Sequence, residues 1–439
     1  MDRRPKRKDS KPVIQITSRQ PGFYKRTIDE RLQTLKLATG LNDQEIKLLR
    51  ENTGFNCTDA DRMVENAIGV FPLPLALAAN FRINNRDLLI PMVVEEPSVL
   101  AAASHAAMLL RNDDGITTRS TDPIMIGQIQ ILDFGDLAKT RDCLQEASSE
   151  LIHLANQQNP RLIQRGGGAK RLVIREFPET AVGPMLVLHL EVDVCEAMGA
   201  NIINTMVEAI ASDVERISGG RVRLRILTNL ADKRLVCATG QVAIEALARN
   251  GWEGAEVAQG IVEASVMADI DPYRAATHNK GAMNGVDAFL VATGQDWRAV
   301  EAGSHAYAAR DGRYRSLSRW SIQGDQLTGI FEIPMQVGVV GGITRSHPVV
   351  KIIHKMLGNP SATELGEIAA ATGLAQNLAA ILALATDGIQ MGHMRMHARN
   401  IAFEAGALEH EVERVTGEMK LAECYDVPTA TAALVRLRQ

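Results

Sequence analysis

The sequence predicts an α+β protein, and three observations carry that prediction. Between residues 123 and 228 the apolar pattern runs strand, helix, strand, strand, helix, strand, the split β-α-β-β-α-β order of ferredoxin-like domains. The chain on either side, 1–122 and 229–388, is mostly helical in period, so the small unit reads as an insertion in a larger domain. Beyond it, 389–439 form a helical appendage opened by Gly388. At 439 residues, with 46% hydrophobic and 23% charged side chains, the chain has ample core for two or three such units.

Residues 27–39 and 42–50 have helical spacing, with Asn42 placed to cap the second helix. Thr58-Asp59-Ala60-Asp61 opens a third, running to Ile68. Asn84 and Asn85 mark a turn, and 88–94 reads as a buried strand. That strand ends in Glu95-Glu96-Pro97-Ser98, ahead of a small-residue helix over 99–111. Two carboxylates between apolar elements either cap the helix or hold charge for chemistry. In the insertion, 124–134, 170–177, 183–194 and 221–227 are the strands, and 137–157 and 196–218 the helices.

The second of these helices opens Glu196-Ala197-Met198-Gly199-Ala200-Asn201. Gly199 and Ala200 either leave the helix N-terminus open to a phosphate or allow close helix packing. The glycine run at 166–168 reads as a flexible loop. Helices follow over 242–248 and 255–270. In the stretch 271–305, Asn279-Lys280-Gly281 and Asn284-Gly285 read as chain turning tightly around a lysine. Residues 286–293 then form a buried element with Lys280 and Asp296 at its edges. Such a pair either stabilises negative charge developing in a reaction or is an ordinary surface ion pair.

A strand over 329–334 leads into a glycine-rich turn at 337–342, and helices span 361–372 and 374–386. Gly388 and Gly392 flank a segment that places His393 and His397 on one helical face, which predicts a mobile flap. No HExxH glutamate and no third ligand accompany the two histidines, so the sequence predicts no metal. A net charge of -4 argues for neither nucleic acid nor an anionic membrane as partner. The basic run Arg3-Arg4-Pro5-Lys6-Arg7-Lys8 reads as a solvated tail. Five scattered cysteines suit a reducing compartment, and no run of about 18 apolar residues exists, so a cytoplasmic protein is expected.

Six dispersed segments, in order, carry a resemblance. They are Glu65-Asn-Ala-Ile-Gly69, Val94-Glu-Glu-Pro-Ser98, Glu196-Ala-Met-Gly-Ala-Asn-Ile-Ile-Asn-Thr205, the segment 271–285, Gly294-Gln-Asp-Trp-Arg-Ala-Val-Glu-Ala-Gly303 and Gly392-His-Met-Arg-Met-His-Ala-Arg-Asn400. Together they resemble 3-hydroxy-3-methylglutaryl-coenzyme A (HMG-CoA) reductase of class II. The resemblance implies two successive hydride transfers from NADPH or NADH, converting HMG-CoA to mevalonate and coenzyme A, in isoprenoid synthesis or in the reverse direction. It further implies a homodimer or larger oligomer with active sites at the subunit interface.

Four residues match the family's catalytic set. Lys280 is the cation that stabilises the oxyanion, Glu96 the proton donor to the mevaldehyde carbonyl, Asp296 the lysine's hydrogen-bond partner, and His393 the acid for the departing thiolate; His397 is set aside for that role. Ser98, Asn229, Arg274, Asn284 and Gln376 match positions around the hydroxymethylglutaryl group. Glu196, Met198, Gly199, Ala200, Asn201 and Asn204 match the cofactor-facing helix start. Two departures stand out: Glu196 replaces the family's usual aspartate, and Tyr24, beside Lys25 and Arg26, sits where relatives place an arginine near coenzyme A. The loop 156–161 has no acid and carries Arg161, which leans the cofactor reading towards NADPH.

Overall fold

The computed structural model describes residues 17–51, 54–112, 114–386 and 388–438, and it leaves the side chains of 389–396 undescribed. The basic run at 3–8 therefore lies outside the described residues. In chain order the strands are β1 (Leu75–Ile83), β2 (Arg86–Val93), β3 (Thr117–Ser120), β4 (Ile124–Leu132), β5 (Gly168–Phe177), β6 (Met185–Asp193), β7 (Arg221–Leu227), β8 (Leu235–Ala243), β9 (Ser318–Gln323) and β10 (Gln326–Pro334). Their pairing is antiparallel throughout. β1 and β2 form a hairpin about Asn84 and Asn85, whose φ of 47° and 62° are the left-handed values a tight hairpin needs.

The segment from β4 to β7 forms a four-stranded sheet in the order β5-β6-β4-β7, with helical crossovers after β4 and β6. Met125, Ile129 and Ile131 alternate along β4 and meet Leu144, Leu151, Ile203 and Val207 of the helices in one core. Both expected long helices are interrupted. Residues 137–157 divide into Leu137–Glu146 and Ser148–Gln157 at Ala147 (φ -80°, ψ 1°). Residues 196–218 divide into Ala200–Ala209 and Ala211–Ser218 at Ile210 (φ -90°, ψ -1°), and helix begins only after Gly199, whose φ is 111°. Each junction residue has bridge-region backbone, so a helix-like sequence bends while its apolar stripe stays on the sheet.

A larger core gathers residues from both sides of this unit. Its axis is a pair of packed helices, Pro272–Ala292 and Ala362–Leu384, against the sheet β3-β8-β10-β9. Here the structure corrects the sequence reading. Residues 271–292 contain no turn around Lys280; they form one helix of 21 residues, capped by Asp271, whose side chain accepts from Tyr273 N–H. Gly285 is helical because its partner helix leaves no room for a Cβ, which would sit 2.8 Å from Gln376 Cβ. Likewise the helices expected over 361–372 and 374–386 are one helix, Ala362–Leu384. Gly373 does not break it; an added Cβ there would meet Phe331 at 2.6 Å and Val286 at 2.8 Å. Residues 242–248 are the end of β8 and a 3-10 turn rather than a helix, because Gln326 and Leu327 of β10 pair with Ala243 and Val242. The helix expected to reach Ile68 stops at Met63.

Among the described residues, Ala362–Leu384 is the helix long and apolar enough to cross a membrane, and it is largely buried in this core. The C-terminal helices Ile389–Glu404, Val412–Leu421 and Val427–Arg438 surround a small core of their own, centred on Ala402, Val412, Val415, Met419 and Ala433. Arg438 grips Glu411 through two nitrogens at 2.9 and 2.7 Å.

Candidate active site

Glu96 follows β2 and serves as N-cap of the helix Pro97–Leu109. Its carboxylate accepts from Ser98 N–H at 3.1 Å, so the two residues are held together by the cap itself. The same carboxylate lies 3.5 Å from Nε2 of His397, both side chains being about 30% exposed. His397, set aside in the sequence reading, is thus the histidine the structure places at Glu96; its one sequence signal was the four-residue spacing from His393. His393 falls within the helix Ile389–Glu404, but its side chain lies outside the described residues.

Lys280 and Asn284 are one turn apart on the helix Pro272–Ala292 and share a face. Lys280 is exposed, and its ammonium has no partner among the described residues. Behind that face, Gln376 of the partner helix is 4% exposed, and its Oε1 has no partner among the described residues. Arg274, nearer the start of the Lys280 helix, is half-buried and likewise without a partner among them. Burial lowers the pKa of its guanidinium. A desolvated guanidinium without a counter-ion is a receptor for a carboxylate.

Asp296 does not join this group within the chain. It is the exposed N-cap of the next helix, Trp297–Ala308, where it accepts from Ala299 N–H at 3.2 Å and sits 3.5 Å from Arg298. From Lys280 to the end of its helix is about 18 Å of rise, at ~1.5 Å per residue, and Asp296 comes after that end. Neither side chain spans such a gap. Asn229 lies at the end of the β7 segment, and its carbonyl accepts from Gln336 Nε2 at 2.9 Å.

The helix start at Gly199 has the features expected of an anion seat: no side-chain cap and no acid in the first turn. Asn201 is exposed there. Asn204 is engaged structurally, since its Oδ1 accepts from Leu227 N–H at 2.9 Å. The carboxylate of Glu196 faces the large core instead of this helix start, accepting from Ala362 N–H at 2.7 Å. Arg161 is exposed on the short helix Pro160–Gln164, just before a loop in which an added Cβ at Gly167 would stand 2.8 Å from Cys195 Sγ. Among the described residues no group of three His, Cys, Asp or Glu could hold a metal ion.

Residues 27–398 match the family model of hydroxymethylglutaryl-coenzyme A reductase. The chain is 47% identical over 424 residues to a 3-hydroxy-3-methylglutaryl-coenzyme A reductase of Archaeoglobus fulgidus, covering 96% of this chain and 95% of the relative. It is 31% identical over 421 residues to a probable enzyme of the same name from Borreliella burgdorferi, covering 95% of each. A solved structure of the Streptococcus pneumoniae reductase aligns with a TM-score of 0.81 and 40% identity, over 95% of this chain and 99% of that one. Another, the class II enzyme of the same organism bound to NADPH in open conformations, aligns at 0.80 with 41% identity, covering 83% of this chain and 99% of that one. The fold is that of an oxidoreductase, as these relatives are. The chain belongs to the hydroxymethylglutaryl-coenzyme A reductase family, in its class II branch, whose reaction links HMG-CoA and mevalonate.

Proposed function

We propose that the chain reduces HMG-CoA to mevalonate and coenzyme A in two hydride transfers, with Lys280 as the electrophilic cation. The observation that carries this reading is an exposed ammonium beside Asn284 with no partner among the described residues, backed by the buried amide of Gln376. Hydride arriving at the thioester carbonyl places negative charge on oxygen, and a fixed ammonium stabilises that charge without reorganising solvent. Collapse expels the coenzyme A thiolate, which takes a proton from His393. Glu96 protonates the carbonyl oxygen of mevaldehyde in the second reduction, and its cap position beside Ser98 fixes its direction. Arg274 holds the substrate's free carboxylate, while Ser98, Asn229, Asn284 and Gln376 surround its hydroxyl and methyl groups.

The cofactor supplies hydride when bound. The uncapped start of Ala200–Ala209 suits its pyrophosphate, with Met198, Gly199, Ala200 and Asn201 alongside. Arg161 and the lack of an acid nearby favour NADPH over NADH, in keeping with the NADPH bound by the Streptococcus relative. On this reading 123–228 is a ferredoxin-like cofactor domain inserted between 1–122 and 229–388, and 389–439 is a flap pivoting at Gly388, whose φ is 80°. Ligand-dependent protection of 389–439 from protease supports the flap; equal cleavage with and without ligands counts against it.

The site is completed by a second copy of the chain. Lys280 cannot reach its own Asp296, so the aspartate that orients it comes from the partner in a dimer. The exposed apolar side chains of Tyr24, Ile68, Val70 and Phe71 supply surface that a partner would bury. Loss of reduced-nicotinamide absorbance on adding HMG-CoA, measured with each cofactor, tests the activity. No oxidation of either overturns it, and a strong preference for NADH overturns the NADPH reading.

A further inference from the structure

A chain of titratable side chains that no step above uses links the helix of Lys280 to the helix that Asp296 caps. Asp287 follows Lys280 and Asn284 on one face of Pro272–Ala292, and its carboxyl is in hydrogen-bond contact with that of Glu301 on Trp297–Ala308. Glu301 in turn accepts from His305 Nε2 at 2.6 Å, and His305 Nδ1 lies 2.6 Å from the hydroxyl of Tyr314. That hydroxyl accepts from Asn279 Nδ2 at 3.0 Å. Asn279 directly precedes Lys280 and is 1% exposed. It also accepts from Leu317 N–H at 2.9 Å and donates to the Arg315 carbonyl at 2.8 Å. The contacts thus leave one helix at Asp287 and return to it at Asn279, about 12 Å back along its axis.

Two ionised carboxylates in contact repel, and Oδ1 of Asp287 is buried with no donor among the described residues. One proton between them relieves the repulsion and neutralises the buried group. Protonated Asp287 then donates to Glu301, which stays ionised because His305 also donates to it. Burial and then the neighbouring Glu301 raise the pKa of Asp287, while the bond from His305 lowers that of Glu301 against the effect of burial. His305 presents Nε2–H to Glu301 in either charge state. When neutral it takes the Tyr314 proton at Nδ1, and when charged it donates there to the Tyr314 oxygen. His305 and Tyr314 are the titratable groups on the pair's far side. Along the helix of Asp287 the nearest cation is Lys280, about 10 Å of rise away.

We propose that Asp287 and Glu301 share one proton in a clasp that fixes the helix beginning at Asp296 against the helix carrying Lys280, with Asp287, Glu301 and Tyr314 as positioning residues for the reduction. The proposal rests on the reading that Lys280 of one copy meets the partner subunit's Asp296. In a two-fold dimer each chain supplies both residues, so the span from Lys280 to Asp296 within one chain sets the register of both sites at once. The clasp holds that span, which the two residues cannot hold by touching.

The test is the pH dependence of the full-length dimeric enzyme, with kcat and KM for HMG-CoA measured from about pH 6 to about pH 10. A proton held more tightly in the folded state keeps the clasp closed below the folded pKa, and the clasp opens as pH rises through it. Asp287→Asn keeps a donor to Glu301 and cannot ionise. Its kcat near neutrality should stay within about twofold of wild type, while the alkaline fall in kcat moves upward by about one pH unit or more. Asp287→Ala loses the donor. Its kcat should drop about tenfold with KM for HMG-CoA within about twofold, the effect of one charge-assisted hydrogen bond lost away from the substrate. Tyr314→Phe cuts the same chain at a half-buried hydroxyl, and it should lower kcat several-fold at constant KM, which keeps the test decisive where Asp287→Ala does not fold. Asn and Ala variants at 287 that behave alike overturn the clasp. So does an Asp287→Asn enzyme whose alkaline limb coincides with that of wild type, or a loss that lies in KM. Co-expressed Lys280→Ala and Asp296→Ala chains that restore no activity defeat the underlying dimer reading instead, which distinguishes the two failures.

Discussion

Replacing Gly285 by alanine tests how the two central helices build the substrate face. The new Cβ would stand 2.8 Å from Gln376 Cβ and 3.1 Å from Thr372 O, whereas ordinary contact begins near 3.4 Å. Both neighbours are anchored in the backbone of Ala362–Leu384, so the helices must separate by about 0.6 Å, because overpacked cores relax by shifting backbone rather than by compressing. Overpacking of this kind costs roughly 1–3 kcal/mol, and alanine's better helix propensity returns about 1. The net loss is about 1 kcal/mol, a fall in Tm of a few degrees. Activity should suffer more. Widening the gap between Asn284 and Gln376 should lower kcat/KM for HMG-CoA about tenfold, on the scale by which misplacement by 1 Å costs 10²-fold. Gly281→Ala is the control, since its Cβ would meet Ala380 Cβ at 3.5 Å, an ordinary contact. That variant should gain about 0.5–1 kcal/mol from helix propensity. Thermal melts and steady-state kinetics of both decide the matter. If Gly285→Ala raises Tm as Gly281→Ala does and leaves HMG-CoA kinetics unchanged, close packing is not why glycine stands at 285.

Three further outcomes follow from the geometry. Lys280→Met should fold normally, because the side chain is exposed, and lose about 10²–10³-fold in kcat, the range seen on removing one oxyanion-stabilising group; loss only in KM would make Lys280 a binding residue. Mixing inactive Lys280→Ala and Asp296→Ala chains after co-expression should restore about a quarter of wild-type activity, since half the dimers are mixed and each holds one intact site; no restoration would place both residues in one chain's site. Burial, together with its contact to the Glu301 carboxylate, raises the pKa of Asp287. A group whose proton is held more tightly in the folded state stabilises fully below its unfolded pKa of ~3.9 and loses that contribution as pH rises through its folded value. Asp287→Asn should therefore flatten the decline in Tm from the acid range upward, and an unchanged pH slope would refute the assignment.

Much of this protein was legible without coordinates. Alternating apolar residues determined the strands β4 to β7, and the six dispersed segments determined the family, because both depend on neighbours within a few positions. The caps at Asn42 and Glu96 also follow from local chemistry. The glycines were different. Gly281, Gly285 and Gly373 read as turn or break signals, but all three lie inside long helices. At Gly285 and Gly373 the side chain of another element fills the space a Cβ would take. A sequence records that a Cβ is absent; only the packing of distant elements decides whether that absence serves φ or proximity. The same holds for Lys280 and Asp296, near in sequence yet held apart by a straight helix, and for Glu196, whose carboxylate crosses to Ala362, 166 residues away in sequence. Covalent order fixed which groups exist and which elements they begin. Which groups meet was decided by helix rigidity and by the burial of one surface against another.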